Sequence, residues 1–273
     1  MKKIDLFKNK VICGDCIELM REMPGKSVDV IITSPPYNIG VKYNSHKDNM
    51  PFEEYLDWME RFGKECFRIL KEDGSFFFNI GDKPSDELRS LKVAERINKS
   101  FKIQNTINWV KSIAVPEENV NIGHYKPVNS KRYLNNGHEF IFHFTKKGNV
   151  EIDKLSIGVP YQDKSNIGRW GHAKKDLRDR GDMWFIPYET VNGNKPHPAM
   201  FPVKLPEMCI KLHGLKKGRK LVVLDPFLGA GSTALASKRL GCDYIGVEID
   251  KKYCKLSQNL LSETSLKNWT KNG

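Results

Sequence analysis

A chain of 273 residues, 39% of them hydrophobic, is long enough to bury a full core, and one large α/β domain with an insertion is expected over two equal domains. Its formal net charge of +12 comes from basic residues spread along the whole chain, which points to a polyanionic partner. Apolar runs fall well short of the ~20 residues that span a bilayer, and Met1 to Lys10 lacks an apolar h-region, so a cytoplasmic protein with no membrane partner is expected.

Six cysteines, at 13, 16, 66, 209, 242 and 254, lie largely in apolar or helical contexts and are expected as reduced thiols. Cys13 and Cys16 have metal-ligand spacing, but no second Cys or His pair lies nearby, and no metal is assigned. Lys10 to Cys13 reads as a short buried strand running into Gly14-Asp15, after which Cys16 to Met23 has helical spacing and stops at Pro24-Gly25. Asp15 therefore sits at a strand's carboxyl end, where capping the next helix is the ordinary role.

Val28-Asp29-Val30-Ile31-Ile32 reads as a buried parallel strand, and Ser34-Pro35-Pro36-Tyr37 stops it, because two prolines cannot continue a ladder. A small hydroxyl, stiffened carbonyls and an aromatic ring are thereby held at a strand's carboxyl end, where open α/β sheets bind ligands. That cluster suits a planar group bearing an NH₂: oxygens accept its hydrogens while Tyr37 stacks on its face. Residues 38 to 50, with Lys42, Tyr43, His46 and Lys47, read as a lid-like loop.

Phe52 to Leu70 has apolar residues near a 3.6-residue period and predicts a helix, followed by a buried strand from Ser75 to Ile80. Asp86 to Asn98 predicts a second helix, and Lys102 to Val110 a strand nearer the sheet edge. Residues 111 to 137 lack a sustained period, and their Tyr125, Lys126, Lys131, Arg132 and Tyr133 fit a nucleic-acid surface. His138 to Phe144 is read as the strand that closes the sheet. Residues 146 to 195 break the composition, with Tyr161, Trp170, Trp184 and Tyr188 among Arg169, Lys174, Lys175, Arg178 and Arg180. Arginines can read guanine bidentately and lysines neutralise phosphates.

His197 to Pro202 precedes a helix over 205–215, and Leu221 to Asp225 is another buried strand. It runs into Pro226-Phe227-Leu228-Gly229-Ala230-Gly231-Ser232-Thr233-Ala234, where a helix begins; Cys242 to Val247 is the next strand, ending at Glu248. Strand, glycine-rich turn, helix, strand and acid make a nucleoside-binding unit, in which the acid accepts from ribose hydroxyls. The turn also satisfies G-x-G-x-x-[GA], so this fragment by itself leaves an NAD enzyme open.

Ser34-Pro35-Pro36-Tyr37 resembles the Asp/Asn/Ser-Pro-Pro-Tyr/Phe motif of the DNA amino-methyltransferases of bacterial restriction-modification systems. Asp225 to Gly231 resembles their Asp-Pro-Phe-x-Gly-x-Gly donor loop. The catalytic stretch precedes the donor loop, the order of the family's beta group. The resemblance implies a Rossmann-like, S-adenosylmethionine-dependent methyltransferase sheet, circularly permuted, with an inserted target-recognition region. Its boundaries fall at 1–145 for the catalytic half, 146–196 for the recognition region and 197–273 for the donor-binding half.

It further implies catalytic roles for Ser34, Pro35, Pro36 and Tyr37, and donor binding by Asp15, Cys16, Ser34, Pro202, Asp225, Pro226, Phe227, Gly229, Gly231, Ser232, Thr233 and Glu248. DNA contacts are expected from Lys126, Lys131, Arg132, Arg169, Lys174, Lys175, Arg178 and Arg180. The implied donor is S-adenosyl-L-methionine with no metal. Implied partners are double-stranded DNA and a cognate restriction endonuclease, for a monomer or homodimer. Ser34 stands where N4-cytosine enzymes typically carry Ser and adenine enzymes most often Asp, and Phe201 where many adenine enzymes carry Lys. N4 of cytosine is therefore the expected target, with N6 of adenine the alternative. Cytosine C5 chemistry needs a thiolate, normally in Pro-Cys, and no cysteine here follows a proline. A DNA-binding module with a degenerate donor site is the reading from another class, and the two intact motifs count against it.

Overall fold

The computed structural model describes residues 3–41, 48–123, 128–169, 175–187, 201–215 and 218–266. Its strands, in chain order, are β1 (Lys10–Cys13), β2 (Val28–Thr33), β3 (Leu70–Ile80), β4 (Lys102–Val110), β5 (Ser112–Val115), β6 (Val120–Gly123), β7 (His138–Thr145), β8 (Met183–Phe185), β9 (Val222–Asp225) and β10 (Asp243–Glu248). The helices are α1 (Cys16–Glu22), α2 (Phe52–Ile69), α3 (Arg89–Asn98), α4 (Lys204–His213), α5 (Ser232–Arg239) and α6 (Lys251–Leu266). The apolar runs gather into one eight-stranded sheet, while β5 and β6 make a separate antiparallel hairpin.

Sheet order is β1-β10-β9-β2-β3-β7-β4-β8, and only β7 runs against the other strands. Side-chain alternation sends Ile31, Phe76, Phe78 and Leu224 to the face covered by α1, α2 and α3. Val30, Ile32, Phe77 and Val223 go to the face covered by α4 and by Ala236 of α5. From β9 the chain crosses through α5 to β10 on one side, and from β2 through α2 to β3 on the other. The strand order therefore reverses between β9 and β2, the kind of switch point at whose carboxyl ends open α/β sheets bind ligands.

Several expectations are corrected. The Lys10–Cys13 strand is one edge of the sheet and stays partly exposed, because among the described residues β10 alone pairs with it. The strand expected from Ser75 begins at Leu70, directly after α2, since Leu70 pairs with Val28 before the ladder shifts register. Residues 112–123 are a hairpin and not aperiodic loop. His138–Thr145 does not close the sheet: it lies inside, antiparallel between β3 and β4. The opposite edge is β8, drawn from the 146–195 stretch, and its Trp184, grouped with the rings of the recognition region, is buried core. Cys13 and Cys254 form a disulfide, because α6 packs along β1 and brings Cys254 beside the strand's end; Cys16, Cys66, Cys209 and Cys242 are buried free thiols. Among the described residues, no helix is long and apolar enough to cross a membrane.

Candidate active site

Thr33 ends β2 and Asp225 ends β9, on neighbouring strands. Thr33 donates its hydroxyl to Asp225 Oδ1 at 2.7 Å, both groups fully buried. Thr233 Oγ1 donates to Asp225 Oδ2 at 2.6 Å, and Phe227 N donates to Oδ1 at 3.1 Å. Burial pushes the Asp225 carboxyl up to about 6, against the pull of those donors. Asp225 thus acts as a knot tying the two loop-bearing strands together.

The glycine-rich turn follows. Gly229 and Gly231 have φ of 54° and 102°, the left-handed region in which a Cβ is strained. A Cβ on Gly231 would also lie 3.0 Å from Ser257 Cβ, so the turn sits close beneath α6. Gly229 N donates to Glu248 Oε2 at 2.8 Å, and Asp250 N to Oε1 at 2.8 Å. Each carboxylate oxygen can accept a second bond, so Glu248 keeps acceptor capacity for a diol. Burial raises its proton affinity. Gly14 N donates to the Glu248 carbonyl at 2.9 Å, bringing the Asp15 turn alongside. Asp15 Oδ1 caps α1, accepting from Ile17 N and Glu18 N at 2.9 and 3.0 Å, and Cys16 is buried behind it. Ser232 Oγ donates to the Phe201 carbonyl at 2.9 Å, which seats buried Pro202 at the start of α5. The Phe227 ring turns inward, 5.6 Å from Trp58 and 5.2 Å from Phe62 between centroids. Pro226 is buried beneath it.

On the β2 side, Pro35 is buried and the Pro36 carbonyl accepts from Tyr55 Oη at 2.8 Å, anchoring the stiff turn to α2. Asp48, itself buried, accepts from the N–H groups of Asn38, Ile39 and Val41 at 2.6, 3.0 and 2.9 Å, closing the base of the expected lid. Ser34 Oγ and Tyr37 Oη lie 2.8 Å apart. Tyr37 Oη also donates toward Glu139 Oε2 at 2.9 Å and lies 3.2 Å from Asn79 Oδ1. Lys111 Nζ forms an ion pair with Glu139 Oε1. These groups come from the carboxyl ends of β2, β3 and β4 and the amino end of β7, which antiparallel pairing places on the same edge.

Sequence reasoning missed Thr33, Asp48, Asn79, Lys111 and Glu139. Asn79 was detectable as a polar interruption of a phenylalanine-rich strand, whereas Glu139 and Lys111 become relevant only once β7 sits between β3 and β4. Of the expected DNA contacts, Lys131 and Arg132 are exposed in the connection from β6 to β7, at the catalytic edge, where Asn136 Nδ2 holds the Asp82 carbonyl at 2.9 Å. Arg169, Lys175 and Arg178 are exposed on the segment leading into the amino end of β8, at the sheet's outer margin. Arg180 is turned inward, its Nε donating to the Ile157 carbonyl at 2.9 Å. Lys126, Lys174, the lid residues Lys42, Tyr43, His46 and Lys47, and His197 to Met200 lie outside the described residues.

The model of a family described as DNA methylase matches residues 28–259, a span that covers both motif loops. Type II methyltransferase M.BglII of Bacillus subtilis is 30% identical over 268 residues, covering 93% of this chain and 69% of that protein. DNA adenine methyltransferase YhdJ of Escherichia coli K12 is 26% identical over 265 residues, covering 93% and 83%. Among solved structures, the cytosine-N4-specific PvuII DNA methyltransferase superposes with a TM-score of 0.68 at 23% identity, covering 91% of this chain and 84% of that one. The Thermus thermophilus protein TTHA0409, solved in complex with S-adenosyl-L-methionine, superposes with a TM-score of 0.62 at 25% identity, covering 93% of each.

Proposed function

The chain belongs to the N6/N4 DNA methylase family and is a DNA methyltransferase, and from that premise we propose that it methylates the exocyclic N4 of a cytosine flipped out of duplex DNA, with S-adenosyl-L-methionine as donor. The observation that carries the reading is the Thr33–Asp225 bond, which makes the proline-stiffened loop and the glycine-rich loop leave adjacent strand ends. The donor pocket fits an adenosine-bearing sulfonium. Glu248 has acceptor capacity for the ribose diol, and the left-handed Gly229 and Gly231 leave the backbone bare where the ligand approaches. When bound, that donor supplies an electrophilic methyl carbon whose sulfonium needs no further activation.

This chain's residues handle the nucleophile. The amino lone pair of cytosine or adenine is delocalised into the ring, and acceptors on its N–H hydrogens restore it to nitrogen. Ser34 Oγ and the Pro35 carbonyl are those acceptors, and the Tyr37 ring stacks on the base. Extrusion of the base costs a few kcal/mol, supplied by contacts to the flanking backbone. Lys131 and Arg132 stand at the correct edge for those contacts, and residues 146–196 serve as the recognition region.

Ser34 and Phe201 favour cytosine. Adenine N6 is the second reading, and the similarity to an adenine-specific relative over most of the chain supports it. Nucleoside analysis of duplex DNA incubated with the purified protein and labelled donor separates them. The expected product is 4-methylcytosine, with most activity lost in Ser34→Ala and Tyr37→Ala. Labelled 6-methyladenine alone overturns the cytosine assignment, and undiminished turnover in both variants overturns the catalytic one.

A further inference from the structure

Tyr37 Oη lies between three oxygens: Ser34 Oγ at 2.8 Å, Glu139 Oε2 at 2.9 Å and Asn79 Oδ1 at 3.2 Å. A phenol has one proton to give, and the carboxylate is both the nearer and the stronger of its two pure acceptors. The Tyr37 proton therefore points at Glu139. With that proton committed, Tyr37 Oη can only accept from Ser34, so the Ser34 proton points at Tyr37 and the serine lone pairs face outward to the substrate position. Asn79 is held alongside by its own amide, Nδ2 donating to the Phe140 carbonyl at 3.0 Å. Lys111 Nζ forms an ion pair with the other Glu139 oxygen, leaving Oε2 to Tyr37. Among the described residues, Lys111 from the end of β4 and Tyr37 from the catalytic loop are the charged and titratable groups facing Glu139; Gly81, whose Cβ would lie 3.0 Å from Glu139 Cγ, leaves it room.

We infer that Ser34, Tyr37 and Glu139 form a one-way proton relay that carries the proton released by the methylated amino group to Glu139. The inference rests on the amino-methyl transfer proposed above and holds for either base. The nitrogen lone pair forms the new C–N bond while the methyl carbon's bond to sulfur breaks, its electron pair staying on sulfur. The surplus N–H proton passes to Ser34 Oγ as the serine proton passes to Tyr37 Oη and the tyrosine proton to Glu139 Oε2. One methyl group and one proton have moved, and no further reactant is consumed. A weak base suffices at the end of the relay, because a methylated arylammonium is a strong acid. Glu139 touches neither substrate nor donor and is a positioning residue that acts through Tyr37.

The test is single-turnover methyl transfer from labelled donor to duplex DNA across a pH series, with donor binding measured in parallel, for wild type, Glu139→Gln and Glu139→Asp. Glu139→Gln should slow transfer about a hundredfold, the scale of lost general-base assistance, with donor affinity unchanged and the fall in rate on the acid side abolished. Glu139→Asp should restore both part of the rate and the acid-side fall. Because Glu139→Gln strands the Lys111 ammonium, the double variant Glu139→Gln/Lys111→Met removes both charges together and should be as slow. Rates within about twofold of wild type with an unchanged pH profile in both glutamine variants would overturn the relay while leaving methyl transfer intact. A wild-type protein that transfers no methyl group to DNA would remove the proposed reaction itself, and the relay with it.

Discussion

Replacing Thr33 with Val removes one hydroxyl from the junction of β2 and β9 and leaves the side chain's shape nearly unchanged. The lost bond is 2.7 Å long, fully buried, and ends on a carboxylate whose proton affinity burial has pushed up to about 6. At pH 7.5 Asp225 is ionised, and a buried hydrogen bond to a charged group contributes about 2 kcal/mol. At pH 5 it is largely protonated, and the bond is a neutral one worth about 1 kcal/mol. The sign follows from linkage. Asp225's folded pKa lies above the unfolded value of ~3.9, so the folded chain holds the extra proton between the two. The stability this group contributes is complete below the lower value and falls as pH rises through the upper. Thr33→Val removes a donor that favours the ionised form, raising the folded pKa further and steepening that fall. Urea denaturation of the donor-free protein should therefore show a stability loss about 1 kcal/mol larger at pH 7.5 than at pH 5. Donor affinity should drop in the same variant, since the turn after Asp225 loses its tether to β2. Equal losses at both pH values, or none, would refute the assignment of Asp225 as the titrating knot between the strands.

Gly231→Ala places a Cβ at φ 102° and 3.0 Å from Ser257 Cβ, which should cost about 1–2 kcal/mol in backbone strain. The start of α5 should shift, and equilibrium dialysis with S-adenosyl-L-methionine should show affinity reduced by about tenfold, the equivalent of 1.4 kcal/mol; unchanged affinity would separate this turn from the donor. Lys131→Ala and Arg132→Ala, at the catalytic edge, should each weaken DNA binding across all sequences and reduce the slope of log affinity against log salt by about 1. Filter-binding titrations at several salt concentrations measure this, and an unaltered slope would place the phosphate contacts elsewhere.

Much of the site is local chemistry and was readable before any coordinates. The apolar run of β2 ends where Pro35 and Pro36 forbid further pairing, and the run of β9 gives way after Asp225 to a turn whose Gly229 and Gly231 enter the left-handed region that glycine adopts without strain. Ser34, Tyr37, Asp225 and Gly231 announce themselves because their neighbours in the chain create the constraint. The helix after the first loop, α2, follows from apolar periodicity in the same way.

What pairing at a distance decides could not be read that way. Nothing within His138–Thr145 says that it will slide between β3 and β4 in the reverse direction, and that insertion is what carries Glu139 to Tyr37, 102 residues away in sequence. Thr33 meets Asp225 across 192 residues, and Cys13 meets Cys254 across 241. A side chain's neighbours within one strand are set by the covalent chain, but its neighbours across the sheet depend on register and strand order, which arise from the packing of the whole core. The amino acids by themselves therefore determined the two loops and their chemistry, while the tertiary structure decided which acids, hydroxyls and cations surround them.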